Sequence, residues 1–406
     1  MNREQGVRRI RADVLCLALA SVAVLLGLIG TGGAAAQSPT TALRGMWIGA
    51  VHNIDWPSRP GLTPQQQRTE YRALLDQAVD HRLNAVFVQV RPTADAFWPS
   101  PREPWSHWLT GEQGRDPGYD PLRFMVDEAH RRGLEFHAWF NPYRVSTHAD
   151  PSRLVPEHPA RQHPEWTFEY DGQLYYDPGL PEVREFVTGA IMHAVRGYDI
   201  DGVHLDDYFY PYPADGVEIP DRDTFARHGG GFTDIADWRR HNVDQLVSTL
   251  DREVHAAKPG VRFGISPFGI WRNESSDPAG SATSGLESYS AIYADSRKWV
   301  REGWVDYIAP QLYWYIGHPA ADYAALVPWW HRTVEGTDVE LYVGQAAHRA
   351  GSSPGWTDPG ELSAHLTLNR DHPGVSGDIF FSATSLRTNA AEAMDRVVAE
   401  HYQQVR

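Results

Sequence analysis

Residues 201–213 read DGVHLDDYFYPYP, an apolar-alternating run that ends in two acids and opens into aromatics. The pattern is that of a β-strand with chemistry at its end. Val203 and Leu205 share one face, while Gly202, His204 and Asp206 share the other, because strand side chains alternate with period two. With the apolar face packed on helices, His204 and Asp206 point inward, a costly placement for an acid without partners. Asp207 then belongs to the opposite face as a supporting or loop-anchoring residue, unless the chain turns immediately after Asp206.

On either side of this run, short apolar strands alternate with helical patterns. RGMWIGAVH (44–52), NAVFVQVRP (84–92) and EFHAWFNPY (135–143) precede it, and RFGISPFG (262–269), DYIAPQLYWY (306–315), ELYVGQA (340–346) and GDIFFSA (377–383) follow. Between them lie helices predicted at about 63–82, 121–132, 181–198, 237–257, 289–302, 320–334, 359–369 and 386–402. The first has Thr63 as N-cap and Pro64 at its first position. The 181–198 segment carries Val183, Phe186, Val187, Ala190, Ile191, Ala194 and Val195 on one stripe. Asp171-Gly172, between WTFEY and QLYYD, marks a hairpin inside a long insertion. Eight strands alternating with eight helices predict an α/β fold, a (β/α)8 TIM barrel, over residues 44–406. The long links all follow strands, which puts the elaboration on the active-site face. An open doubly wound sheet is the alternative, and it lacks a glycine-rich phosphate loop after the first strand.

Residues 1–36 have the layout of a secretory signal: Arg3, Arg8, Arg9 and Arg11, an apolar run from Val14 to Ile29, and Ala34-Ala35-Ala36 before the expected cleavage. Arg8-Arg9 hints at twin-arginine export, although its flanks fit that poorly. The run is shorter than the ~20 residues a spanning helix needs. Residues 37–43 form a short lead. Cys16, the only cysteine, lies in the signal, so the mature chain has no disulfide, thiolate nucleophile or cysteine-bound metal. Losing four Arg with Glu4 and Asp13 moves the net charge from −15 to about −17, which disfavours nucleic acid and anionic membrane as partners. The 15 Trp fit a large core or a cleft in which rings stack on sugar faces.

The strand ends place a polar ring inside the barrel: His52, Gln89, Arg91, His137, Asn141, His204, Asp206, Ser266, Phe268, Gln311, Tyr313 and Ser382. No HxH or HxxxH pair sits near a strand end and Arg91 repels a cation, so neither a metal nor any other cofactor is expected. Ser266 precedes Pro267 and no GxSxG elbow occurs, which argues against a serine nucleophile. Carboxylate chemistry fits better, since glycoside hydrolysis needs one acid to protonate the leaving oxygen and a second group to attack or to activate water. Asp206 is the first candidate, as nucleophile or charge stabiliser. Glu274, beside Trp271, Arg272 and Asn273, is the first choice of proton donor, and Asp95 the second. Trp139, Tyr143, Tyr208, Tyr210 and Trp314 join the polar ring as candidate sugar contacts.

RGMWIGAV, NAVFVQVRPTADAFWPS, FHAWFNPYR, DGVHLDDYFYP, ISPFGIWRN and DYIAPQLYW, in that order from Arg44 to Ser382, resemble the glycosyl-hydrolase-like family 10 proteins, which are exported or lipid-anchored in bacteria. The resemblance implies a barrel glycosidase acting on peptide-free peptidoglycan glycan strands, with Asp206 catalytic. A partial likeness to family 18 chitinases, whose fourth strand reads roughly DGxDxDxE, fails at His204 and Tyr208, which argues against that mechanism in its usual form. The expectation is therefore a secreted glycosidase of N-acetylated cell-wall glycan. The competing expectation is a catalytically silent glycan-binding or wall-scaffolding protein.

Overall fold

The computed structural model describes residues 42–352 and 354–403. The signal-like segment lies outside them. Eight parallel strands close a barrel in the order β1, β2, β3, β7, β8, β9, β10, β11. They are β1 (Leu43–Ile48), β2 (Ala85–Arg91), β3 (Glu135–Phe140), β7 (Gly202–Leu205), β8 (Arg262–Ile265), β9 (Tyr307–Ile308), β10 (Glu340–Gln345) and β11 (Val375–Phe380). The predicted (β/α)8 barrel is thus observed.

Alternation along the strands builds two cores. Val86, Val88, Val203, Leu205 and Ile265 pack outward on the helices, whereas Trp47, Phe87, Trp139, Tyr307 and Tyr342 fill the barrel. Glycines make room for the large interior groups: a Cβ on Gly202 would collide with the His137 ring, and one on Gly264 with Tyr307. The helix Pro181–Gly197 buries Val183, Val187, Ala190, Ile191, Ala194 and Val195 as its stripe requires. At Pro64–Asp80, Thr63 and Gln66 form a reciprocal capping box.

Two strands end sooner than the apolar runs suggest. β8 stops before Pro267 and β9 before Pro310, since proline gives the ladder no N–H. Beyond Pro310 the sixth strand survives only as bridges from Gln311 to Phe268 and Gly344. Two predicted helices are each split. The 289–302 helix breaks around Tyr293 (φ 57°), and the last helix breaks at Asn389 (φ 46°).

The insertion after β3 forms its own antiparallel sheet of β4 (Arg144–Ser146), β5 (Thr167–Tyr170) and β6 (Gln173–Tyr176). Asp171 and Gly172 both adopt positive φ, 47° and 74°, as a type I′ hairpin turn demands. This sheet stands over the C-terminal ends of the barrel strands and walls one side of the site.

Candidate active site

A cavity of about 410 Å³ opens at the C-terminal end of the barrel. Asp206 and Asp207 both line it, together with Trp47, His52, Gln89, Trp139, Arg144, Tyr208, Ser266, Gln311, Tyr313 and others. That Asp207 shares the cavity departs from simple alternation. The reason is local: β7 ends at Leu205, and Asp206 Oδ1 accepts the Tyr208 N–H (3.2 Å) in a turn that rotates the second acid toward the first. No other carboxylate is among the cavity's lining residues, so the two acids are sequence neighbours rather than a pair facing each other across the cleft.

Each acid is held by fixed donors. Asn141 Nδ2 donates to Asp206 Oδ2 (2.6 Å). Asn141 is itself oriented by Gln89, whose amide N–H donates to Asn141 Oδ1 and whose Oε1 accepts the N–H groups of Ala50 (2.8 Å) and Val51 (2.9 Å). Because backbone N–H groups only donate, Gln89 cannot flip, and Asn141 must present its N–H to Asp206. Asp207 Oδ1 accepts from Gln311 (3.0 Å), and Oδ2 accepts the Tyr212 hydroxyl. Burial, then the neighbouring Asp207 charge, pushes the Asp206 pKa up to about 7, with Arg144 opposing. Burial also raises Asp207, against its bonds to Tyr212 and Gln311. Adjacent buried carboxyls titrate as a unit, so the pair retains a proton toward neutrality, and Asp206, pushed up to about 7, is the group that can carry it.

Removing the Asn141 donor, which favours the ionised form, is expected to raise the Asp206 pKa further. In an Asn141→Ala variant, the pH at which the Asp206 carboxyl titrates, followed by carbon-detected NMR, should move upward by about one unit or less. A downward shift would contradict this wiring.

His204 and His137 lie beneath the cavity instead of lining it, a correction to their expected role in sugar binding. Trp47 Nε1 donates to His204 Nε2 (3.1 Å), which places the His204 proton on Nδ1, facing the Tyr307 hydroxyl (3.1 Å). The hydroxyl then donates to His137 Nδ1 (3.1 Å), and His137 Nε2–H faces Glu135 (3.3 Å). Burial lowers both histidine pKa values, so both rings are neutral struts of the barrel interior.

Other expectations divide similarly. Arg91, fully buried, forks onto Glu103 and bonds the carbonyls of Asn141 and Pro142, so it is structural. Tyr143 and Tyr210 are buried away from the cavity, while Phe268 and Trp314 pack edge to face behind it. Trp271 bonds Asp295 and stacks on Trp329, Arg272 pairs with Asp277, and Asn273 ties its loop to Gly285. Glu274, expected as proton donor, is exposed on that loop, because the Asn273 bridge to Ser281 folds the segment back on itself away from the cavity. Asp95 is buried beside Thr93 and His107, also outside the cavity. Ser382 donates to Asp55. His52, Trp139, Tyr208, Ser266, Gln311 and Tyr313 do line the cavity. Trp47, Arg144, Thr147, Gln173, Tyr175 and Phe381 were not singled out from the sequence; four of them come from the β4–β6 insertion, whose position periodicity does not reveal.

Comparison with known proteins agrees with this architecture. The chain is 51% identical over 365 residues to glycosyl hydrolase YngK of Bacillus subtilis (strain 168), covering 89% of this chain and 72% of that protein. It is 41% identical over 372 residues to glycosyl hydrolase DigH of Escherichia coli (strain K12), covering 86% and 84%. Among solved structures, the glycoside hydrolase domain of PgaB (BpsB) from Bordetella bronchiseptica superposes with a TM-score of 0.58 at 13% identity, over 89% of this chain and all of that one, a likeness of fold. The expectation of a barrel glycosidase is borne out by these matches. The glycosyl hydrolase-like 10 family model matches residues 42–359, and the chain belongs to that family.

Proposed function

We propose that this chain hydrolyses glycosidic bonds in N-acetylated bacterial cell-wall glycan, outside the cytoplasm, with Asp206 as proton donor and Asp207 as its ionised partner. The observation that carries the reading is the adjacent acid pair in one cavity with no facing carboxylate. Asp206, protonated up to about pH 7, can give its proton to the leaving oxygen as the C1–O bond breaks. Among the described residues no other carboxylate lines the cavity to attack C1, so the carbonyl oxygen of the sugar's own 2-acetamido group fills that role. Asp207 accepts the acetamido N–H and offsets the positive charge on the cyclic intermediate. Water, deprotonated by Asp206, then opens that intermediate, restoring the acid and releasing a new reducing end. Trp47, Trp139 and Tyr313 supply flat faces for the ring. The names of the YngK and DigH relatives support hydrolysis.

The test is incubation with peptide-free glycan strands and mass spectrometry of the products. Shortened strands are expected; complex formation without new chain ends would favour the wall-binding alternative. Chemically N-deacetylated strands are expected to be cleaved at least ~10²-fold more slowly, since they lack the attacking group. Equal rates on both would rule out acetamido participation. Export is checked by the N-terminus of the mature protein, expected at Gln37.

A further inference from the structure

Among the described residues, those that line the catalytic cavity do not include Tyr212, yet its side chain reaches the acid pair from behind. It does so through a loop that doubles back. Past Leu205, where β7 ends, the Tyr208 N–H donates to Asp206 Oδ1 (3.2 Å) and the Phe209 N–H to the Asp207 carbonyl (3.1 Å). Pro211 then fixes its own φ, and Pro213 restricts Tyr212 to extended backbone. The half-buried Tyr212 ring lies edge to face against Tyr208 (5.5 Å between ring centres) and Phe268 (6.2 Å). Held in this way, its hydroxyl donates to Asp207 Oδ2, its one hydrogen bond among the described residues.

The partners of the two acids can be matched one against one. Each acid takes one side-chain amide N–H, Asn141 on Asp206 Oδ2 (2.6 Å) and Gln311 on Asp207 Oδ1 (3.0 Å). Neither amide can turn round: Gln89 fixes Asn141, and Gln311 Nε2 also donates to the Ser266 carbonyl (2.9 Å). With the amides matched, what remains is a backbone N–H from Tyr208 on Asp206 against a phenol O–H from Tyr212 on Asp207. An O–H donated to a carboxylate makes the shorter and stronger bond. A proton on Asp207 Oδ2 would also strand the phenol, whose own hydrogen has no other acceptor among the described residues. The remaining charged and titratable groups that face the pair do not reverse this balance. Arg144, from β4, lowers both acids. Burial pushes the hydroxyls of Tyr208, Tyr212 and Tyr313 up, so all three stay neutral.

We propose that Tyr212 is a positioning residue for the reaction: by donating to Asp207 it keeps that carboxylate ionised and aimed, and so assigns the single proton of the pair to Asp206. The proposal rests on the glycan-hydrolase reading and adds what that reading leaves open, the group that divides the roles between two adjacent acids.

The experiment is Tyr212→Phe, which keeps the ring and removes the donor. Asp207 then competes for the proton. The plateau of kcat/KM on peptide-free strands is expected to fall about 3- to 30-fold, because a share of the molecules carries the proton on the wrong acid. The alkaline limb of the pH–rate profile is expected to move upward by about one unit, because the pair holds its proton more tightly. Mere misplacement of Asp207 would lower the rate and leave the limb where it is. Replacing Tyr212 by 3-fluorotyrosine, a stronger donor of nearly the same shape, should move the limb downward, and it serves if the Phe variant fails to fold. In an Asp207→Asn background, Tyr212→Phe should move the titration of the Asp206 carboxyl, followed by carbon-detected NMR, by less than about 0.3 unit, since the effect runs through Asp207. A limb that stays put or moves downward in Tyr212→Phe, or an Asp206 shift of the same size with and without Asp207, overturns the proposal while leaving the hydrolase reading intact. If wild type cleaves no strands, the hydrolase reading fails. The NMR titration then still decides, since Tyr212→Phe must move the proton from Asp206 toward Asp207.

Discussion

Asp206→Asn is expected to lower kcat/KM on peptide-free strands by about 10²–10⁴-fold, the range for loss of a positioned general acid. An amide keeps the volume and the cavity but has no proton to give the leaving oxygen. The loss should therefore fall mainly on kcat. The same variant has a second signature, in stability. The Asp206 pKa is raised from 3.8 to about 7 in the folded chain, by burial first and by Asp207 second. A group whose folded pKa is raised contributes stability that is fully present below its unfolded pKa. That contribution is lost as pH rises through the folded value. Wild type should lose stability between about pH 4 and pH 7 from this site, and the Asn variant should not. The unfolding free energy of the variant relative to wild type, followed as the difference in Tm, is thus expected to rise across this window, by at most about 4 kcal/mol for a shift of this size. The absolute Tm is a poorer readout, because the new amide must set its own N–H against Asn141 or Tyr208, both of which donate. Full activity, or a flat Tm difference from pH 4 to pH 8, would sink the assignment.

The pH–rate profile should carry the matching limb. Activity is expected to fall above about pH 7 as Asp206 loses its proton. Arg144 lowers the pKa of both acids without bonding either, so the Arg144→Gln variant should shift that limb upward.

Much of this site is legible in the sequence. The period-two pattern of DGVHLDD marks the strand, its inward face and the position of Asp206, because a parallel barrel buries both faces of its strands and an inward acid fits where the strand ends at the cavity. Alternation stopped being a guide at the point where the strand stopped. Past Leu205 the backbone turns, and a rule about extended chains could not place Asp207 in the cavity. The histidines illustrate a different limit. His137 and His204 face inward as alternation requires, but inward includes the filled barrel below the cavity floor, and depth along the barrel is set by register between strands. His137 pairs with Gly202, below the level of Asp206. Arg144 lay in the quoted FNPYR block, yet nothing in composition separates a guanidinium that meets a carboxylate from one that does not.

Arg91 shows the opposite outcome, and it yields the largest stability effect. Glu103→Ala is expected to cost about 3–5 kcal/mol, because it leaves a fully buried guanidinium without its carboxylate. Spread over a chain of this size, that corresponds to a fall of about 4–7 °C in Tm. The damage should reach the chemistry as well. Arg91 Nη1 clamps the carbonyls of Asn141 and Pro142, fixing the backbone that aims the Asn141 amide at Asp206. A loosened Arg91 lets that amide drift, so kcat should drop by about tenfold even though neither Arg91 nor Glu103 lines the cavity. The double variant Glu103→Ala, Arg91→Met removes the stranded charge and should recover part of the lost stability but little of the activity, since the clamp on Asn141 stays broken. Chemical denaturation of the three variants checks the first half and strand cleavage the second. A Glu103→Ala protein within 1 kcal/mol of wild type would mean that water reaches Arg91, contrary to its complete burial.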